Sequence, residues 1–298
     1  MAVKVLVIGS SNTDMVVKTE SFPKPGETVL GGVFLMNPGG KGANQAVAAA
    51  RSGADVRFVT KVGKDIFGKQ SIEGFSKEGL DITNIVETDE FASGIALITV
   101  SESGENQIVV ASGANMDLNP ADLPDSIFED IKFVLLQLEI PLQTIKYIVQ
   151  KCIELNIKVI LNPAPAVMLE DNLLRGIYLI TPNETETQMI TGILPDSSDS
   201  LREAASFFQS KGIKNVIITL GKKGVFLMTE KYSQLIPALE VKPVDTTAAG
   251  DVFNGAILTA LSDGKDWIEA CQFACKAAAI SVTRMGAQSS APYRHELN

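Results

Sequence analysis

A chain of 298 residues with 45% hydrophobic and 20% charged side chains can bury one large core or two modest ones, which excludes a disordered polymer. Its 26 basic and 35 acidic residues leave a formal charge of −9; with no Lys/Arg-rich run, that charge disfavours nucleic acid as a partner. No apolar stretch reaches the roughly 20 residues a membrane span needs, so no membrane partner is expected either.

The first apolar run, 3–8, predicts a buried strand. It is too short for a signal peptide and lacks a small-residue cleavage site, so a cytoplasmic location is expected. The polar group Asn12-Thr-Asp14 follows, and then 15–34, which holds Pro23 and Pro25 and has no helical period. Next comes Asn37-Pro-Gly-Gly-Lys-Gly-Ala-Asn44, leading into an Ala-rich helix. Its glycines admit close approach of backbone to a ligand, and Lys41 and Asn44 suit hydroxyls; a tight turn entering a packed helix accounts for the same residues. Gly63-Lys-Asp-Ile-Phe-Gly68-Lys69 imitates the start of a phosphate loop, but Gln70 stands where Ser or Thr would hold magnesium. Turn glycines around a helix start explain it, and it is set aside.

The stretch 93–111 predicts a hairpin, with strands 95–100 and 107–110 around the polar turn 101–106. Two β-rich pieces inside an α/β chain, about 12–36 and 92–112, predict a small projecting sheet, equally readable as an edge hairpin or as a lid. From 133 onward, apolar runs at 133–138, 157–161, 177–180 and 216–220 read as buried strands. Leu142, Ile145, Val149 and Cys152 mark one helix face between them, and Phe253, Ala256, Ile257, Ala260 and Leu261 mark a later one. This pattern predicts one α/β unit over 1–298: a three-layer α-β-α core with a mostly parallel sheet, ligands lying outside the strands' carboxyl ends.

Of three further clusters, the first two fall at such ends. Asn183-Glu-Thr-Glu186 offers oxygen ligands suited to magnesium and phosphate, or ordinary helix capping. Thr219-Leu-Gly-Lys-Lys-Gly224 is a glycine-bounded turn that alone says little. Asp245-Thr-Thr-Ala-Ala-Gly-Asp251 puts three small residues before a helix starting at about Asp251, where amide N–H groups would converge on an anion. Asp251 reads there equally as a helix N-terminal carboxylate, worth about 1 kcal/mol, or as a general base. Cys271 and Cys275 share a face with Trp267, Ala270, Ala274 and Ala278, which predicts packing rather than metal binding. His295, the single histidine, lies near the C-terminus, so neither a Ser-His-Asp triad nor a histidine zinc site is expected.

Taken in order, G-G-K-G-A-N-Q-A, N-P-A-P, T-P-N-E-T-E, T-L-G-x-x-G-V and D-T-x-A-A-G-D-x-F-N-G resemble the ribokinase branch of the phosphofructokinase B family of carbohydrate kinases. The likeness runs from about Val5 to Pro292, and Asn12-Thr-Asp14 with G-G-K-G-A-N points to that branch. It implies ATP-dependent phosphorylation of D-ribose at the 5-hydroxyl, with a β-sheet lid over the sugar and two lids packed as a homodimer. Asn12, Asp14, Gly40, Lys41, Gly42, Asn44 and Glu139 would hold the sugar, and Asp251 would be the base. The amides of Ala248, Ala249 and Gly250 would form the anion hole. Asn183, Glu186, Thr219, Gly221, Gly224 and Gly250 would serve ATP. Cys275 falls at the adenine end, where a polar residue is usual. Asn183 and Glu186 would serve Mg2+, directly or through water. Asp245, Thr247, Ser281, Arg284, Gly286 and Ser290 would hold K+, mostly through carbonyls. Deoxyribose, fructose or adenosine as acceptor, or a non-catalytic sugar-sensing role, are the alternatives.

Overall fold

In the computed structural model, which describes residues 4–30 and 32–297, the apolar runs pair into two main sheets. Strand β1 (Lys4–Ile8) is followed by β2 (Asn12–Thr19), β3 (Val33–Gly39), helix α1 (Lys41–Arg51) and β4 (Asp55–Val59). The short strands β5 (Lys61–Gly63) and β6 (Val86–Thr88) flank α2 (Ile66–Lys77), and β7 (Gly94–Ser101) and β8 (Asn106–Ala111) come next. Strands and helices then alternate: β9 (Ile131–Leu136), α3 (Leu142–Glu154), β10 (Lys158–Leu161), α4 (Asp171–Leu174), β11 (Leu179–Ile180), α5 (Glu184–Thr191), α6 (Ser198–Ser210) and β12 (Asn215–Thr219). The chain ends through β13 (Val225–Met228), β14 (Ser233–Ile236), α7 (Ala249–Ser262), α8 (Trp267–Ser281) and α9 (Arg294–Leu297).

The large sheet has the order β14-β13-β12-β11-β10-β9-β1-β4. Its strands run parallel except at one edge, where β12, β13 and β14 pair antiparallel. Side chains alternate across β1: Val5 and Val7 enter the core shared with α1, α7 and α8, while Leu6 and Ile8 enter the core shared with α3 and α6. Burial on both faces is why these strands read as unbroken apolar runs. The expected three-layer fold is present. Not every strand was expected from the sequence. The strand β4 was not expected, because Asp55 and Arg57 interrupt its apolar residues, yet Val56, Phe58 and Val59 are buried. The expected start of the first strand at residue 3 lies outside the described residues.

The second sheet, β3-β2-β7-β8, joins the two β-rich insertions through a parallel β2–β7 pairing. It extends to Gly39 rather than ending near 36, because Asn37, Pro38 and Gly39 continue the ladder opposite Asp14, Thr13 and Asn12. Asn12 and Asp14 therefore sit at the root of this sheet, next to the carboxyl end of β1. Among the described residues, no helix is long and apolar enough to cross a membrane.

Candidate active site

The site begins where α1 and α7 cross. A Cβ at Gly255 would lie 2.6 Å from the Gln45 carbonyl oxygen and 2.7 Å from Ala48 Cβ, so only glycine lets the two backbones approach this closely. Gly42 works the same way at the other end of the contact: its Cβ would meet the Gly9 and Ser10 backbone at 2.5 Å, pressing the start of α1 against the end of β1. Together these contacts bring Asn44 and Gln45 against Asp251.

Asp251 is 7% exposed and sits in the first turn of α7. Asn44 Nδ2 donates to its Oδ2 at 3.0 Å, and Gln45 Nε2 donates to its Oδ1 at 2.9 Å. Burial pushes its carboxyl above the ordinary range, while the Lys41 ammonium and the two amide donors pull it back. Helix α7 starts at Ala249, two residues before the expected position. Its N-cap, Ala248, is left-handed (φ 58°) and caps nothing with its side chain. The Ala249 N–H turns to the Thr246 carbonyl at 3.3 Å, so the amides of Gly250 and Asp251 are the ones best placed to meet an anion.

Lys41 stands among four carboxylates. Burial alone would lower its pKa, but Asp251, Glu139, Glu186 and Asp14 together raise it, so it stays charged. Asp14 is pushed up to about 6 by burial first, then by Glu139 and Asp251. Glu139 accepts from Ser10 Oγ at 2.6 Å and from the Lys41 N–H at 3.1 Å. Asn12 is buried, and its Oδ1 accepts from Asn115 Nδ2 at 2.8 Å, which leaves its own NH₂ as the free donor. Asn44 Oδ1 is buried with no partner, an acceptor suited to a ligand hydroxyl. The expected sugar-binding residues thus meet in one place between the lid root and the sheet.

On the far side, Asn183 and Glu186 make a reciprocal capping box: Asn183 Oδ1 accepts the Glu186 N–H at 2.8 Å, and Glu186 Oε2 accepts the Asn183 N–H at 2.9 Å. Capping is therefore present as the plainer alternative had it. Burial raises the Glu186 carboxyl, and both Lys41 and Asp251 act on it electrostatically, so it also belongs to the site. Asn183 bridges Thr219, and the turn with Gly221 (φ 54°) and Gly224 (φ 100°) follows directly. Cys275 is 6% exposed in the layer between α7 and α8, and burial pushes its thiol up to about 12. It is a neutral core side chain. The rejected loop at Gly63 is likewise structural, since Asp65 caps α2 by accepting the Gly68 N–H at 2.8 Å.

Behind the α7 turn, two loops join. Val244 N and Asp245 N donate to the Val282 carbonyl at 2.7 and 3.2 Å, and Asp245 accepts from Thr247 N and Gly286 N, both at 2.9 Å. Burial would raise the Asp245 carboxyl, but these hydrogen bonds outweigh it and hold it low. The Ser281 carbonyl accepts from Arg284 N at 3.0 Å, while the Arg284 side chain turns to Glu296. Ser290 is fully buried, in a loop held by Arg51 Nη1, which donates to the Gln288 and Ala291 carbonyls at 2.7 and 3.0 Å.

Sequence reasoning missed Ser10, Gln45, Arg51, Asn115, Gln137, Asn162, Thr181 and Asn254. Four of them lay inside quoted motifs: Gln45 in G-G-K-G-A-N-Q-A, Asn162 in N-P-A-P, Thr181 in T-P-N-E-T-E and Asn254 in D-T-x-A-A-G-D-x-F-N-G; Ser10, Arg51, Asn115 and Gln137 carried no local signal.

The chain matches the family described as "pfkB family carbohydrate kinase" over residues 2–294. It is 47% identical over 292 residues to a ribokinase of Haemophilus influenzae, covering 97% of this chain and 95% of that protein. It is 38% identical over 298 residues to a deoxyribokinase of Salmonella typhi, covering 99% and 97%. The solved structure of Arabidopsis thaliana ribokinase complexed with ribose and ATP superposes with a TM-score of 0.94 at 31% identity, covering 100% of this chain and 98% of that one.

Proposed function

The chain belongs to the pfkB family of carbohydrate kinases, and from that membership we propose that it transfers the γ-phosphoryl group of ATP to D-ribose, giving ribose 5-phosphate and ADP. One observation carries the reading. Asp251 is a buried carboxylate whose two oxygens are each held by a neutral amide donor, in the uncapped first turn of a helix. An ionised carboxyl in that position can accept a proton from a hydroxyl while amides one residue away meet negative charge.

The sugar lies against Asn12, Asp14, Gly40, Lys41, Gly42, Asn44 and Glu139, with its 5-hydroxyl toward Asp251. As the ribose O5–P bond forms, the bond from the γ-phosphorus to the bridging oxygen of ADP breaks, and the hydroxyl proton passes to Asp251. The amides of Gly250 and Asp251 hold the charge of the group in flight. Asn183, Glu186, Thr219, Gly221 and Gly224 line the nucleotide side, and the small sheet excludes water.

Four carboxylates around one lysine would repel a bare polyphosphate, so the nucleotide arrives with a divalent cation. Glu186 uses Oε2 in its capping box, and its other oxygen is free to reach Mg2+ through water. Mg2+ supplies neutralisation of phosphate charge. For K+ the reading takes Asp245, which joins the loops at 245–247 and 281–290 through Thr247 N and Gly286 N, as the one charged ligand, with carbonyls of those loops as the neutral ones. An assay of ADP release across ribose, deoxyribose, fructose and adenosine tests the assignment, with ribose giving the highest kcat/KM. The Salmonella relative makes deoxyribose the second reading; deoxyribose outcompeting ribose would replace the acceptor, and no ADP release with any sugar would overturn the kinase.

A further inference from the structure

The first turn of α7 must hold two things in register: a carboxylate aimed at a hydroxyl, and amides left unpaired for phosphate. A capping side chain would normally steady such a turn, but it would also consume those amides. Here the N-cap is an alanine with φ 58° and no side-chain hydrogen bond. Something else has to hold the turn still.

A chain of buried polar side chains does so. Gln45 is fully buried, and its carboxamide is satisfied on all three sides. Its Nε2 donates to Asp251 Oδ1 and to Asn162 Oδ1, both at 2.9 Å, and its Oε1 accepts from Gln137 Nε2 at 2.6 Å. Asn162 Nδ2 donates onward to the Thr181 carbonyl at 3.2 Å, Thr181 Oγ1 donates to Asn254 Oδ1 at 2.6 Å, and Asn254 Nδ2 donates to the Gly250 carbonyl at 2.8 Å. The chain leaves α7 at the base and returns to it one residue earlier, having passed through α1 and the segments that follow β10 and β11. None of its side chains is more than 7% exposed, and in such surroundings connected hydrogen bonds are stiff and costly to break.

We propose that Gln45 is a positioning residue for phosphoryl transfer: it aims the Asp251 carboxylate and, through Asn162, Thr181 and Asn254, ties it to the turn that presents the anion-binding amides. The proposal rests on Asp251 being the base. The direction of Gln45 follows from its neighbours. The Asp251 carboxylate can only accept, and the Thr181 carbonyl holds the Asn162 NH₂ so that Asn162 Oδ1 faces Gln45; both call for the Gln45 NH₂, which leaves its oxygen toward Gln137.

The test uses Gln45→Glu and Gln45→Leu in the full chain, with kcat followed from about pH 5.5 to about pH 8.5 and ribose affinity measured by calorimetry. In Gln45→Glu, a protonated carboxyl can replace the amide donor, whereas an ionised one faces Asp251 as a like charge, and two such carboxyls lose their second proton well above the usual range. Gln45→Glu should therefore work within about threefold of the parent chain at the acid end and fall at least about tenfold behind it at the alkaline end. Gln45→Leu should lose about tenfold in kcat at every pH while ribose affinity moves less than about threefold. The Gln45→Glu ratio is internal to one folded protein, so it decides the matter even if Gln45→Leu does not fold. A ratio that stays flat with pH overturns the proposal. Asp251→Asn measured alongside separates the two levels: if it is inactive while the Gln45 variants behave normally, only the positioning role fails; if it is near the parent rate, the base itself is wrong.

Discussion

At the scale of single residues, Asp251, buried, and Asp14, half-buried, are two acids with different duties. Replacing Asp251 with Asn keeps the volume and one of the two acceptor oxygens used by Asn44 and Gln45 but removes the proton acceptor. Turnover should fall by about 10²–10⁴-fold with ribose binding retained, as read by steady-state rates and calorimetry. Asp14 makes a testable statement about stability. Its folded-state pKa is raised from 3.8 to about 6, by burial first and then by Glu139 and Asp251. A carboxyl with a raised folded-state pKa weakens the fold at every pH where it is charged. The weakening is complete above pH 6, shrinks as pH falls, and is gone below 3.8. Asp14→Asn should thus raise Tm at neutral pH, with the gain vanishing below about pH 4, while kcat/KM for ribose drops at least about tenfold. A melting curve that shows no gain at pH 7 would place Asp14 in water rather than in the site.

At the scale of elements, the turn before α7 depends on the two loops behind it. Asp245 holds both through Thr247 and Gly286, and its lowered pKa keeps it ionised throughout the neutral and mildly acidic range. Replacing potassium by a bulky organic cation at matched ionic strength should lower kcat well beyond any screening effect, and Asp245→Ala should abolish the difference. Equal rates of the parent chain in potassium, sodium and organic-cation buffers would remove the cation from the mechanism. The α1–α7 contact belongs to the same scale, because Gly255 and Gly42 decide how near Asn44 and Gln45 come to Asp251.

At the scale of the molecule, the small sheet is the exposed part. Val109 is 66% exposed, Phe34 60%, Leu97 50% and Met36 45%, and the strand register puts all four on the face opposite Asp14. A four-stranded sheet with so much apolar surface has reason to pair with a second copy. Light scattering should give twice the 31.8 kDa chain mass, and Val109→Glu should shift the protein toward the monomer. A monomer of the parent chain at working concentration would overturn the lid-to-lid dimer.

Whatever a local run of residues encodes was legible before any contact was known. Apolar runs buried on both faces announced the parallel strands, three-residue spacing made Asn183 and Glu186 a capping pair, and small residues before Asp251 set a helix start beside an anion. Glycines at 42 and 255 were visible as residues, though not as contacts. What lies across the fold had to wait for the packed molecule. Asn44 and Gln45 are 207 and 206 residues from Asp251, and Asn162 and Thr181 come from two further segments, after β10 and after β11. A buried polar side chain has no periodic signature, because its partner is set by which strand ends the sheet order brings together. The pairing of β2 with β7 and the joining of Asp245 to Gly286 were hidden for the same reason: each is a contact between distant segments, and its energy appears only once the core has closed.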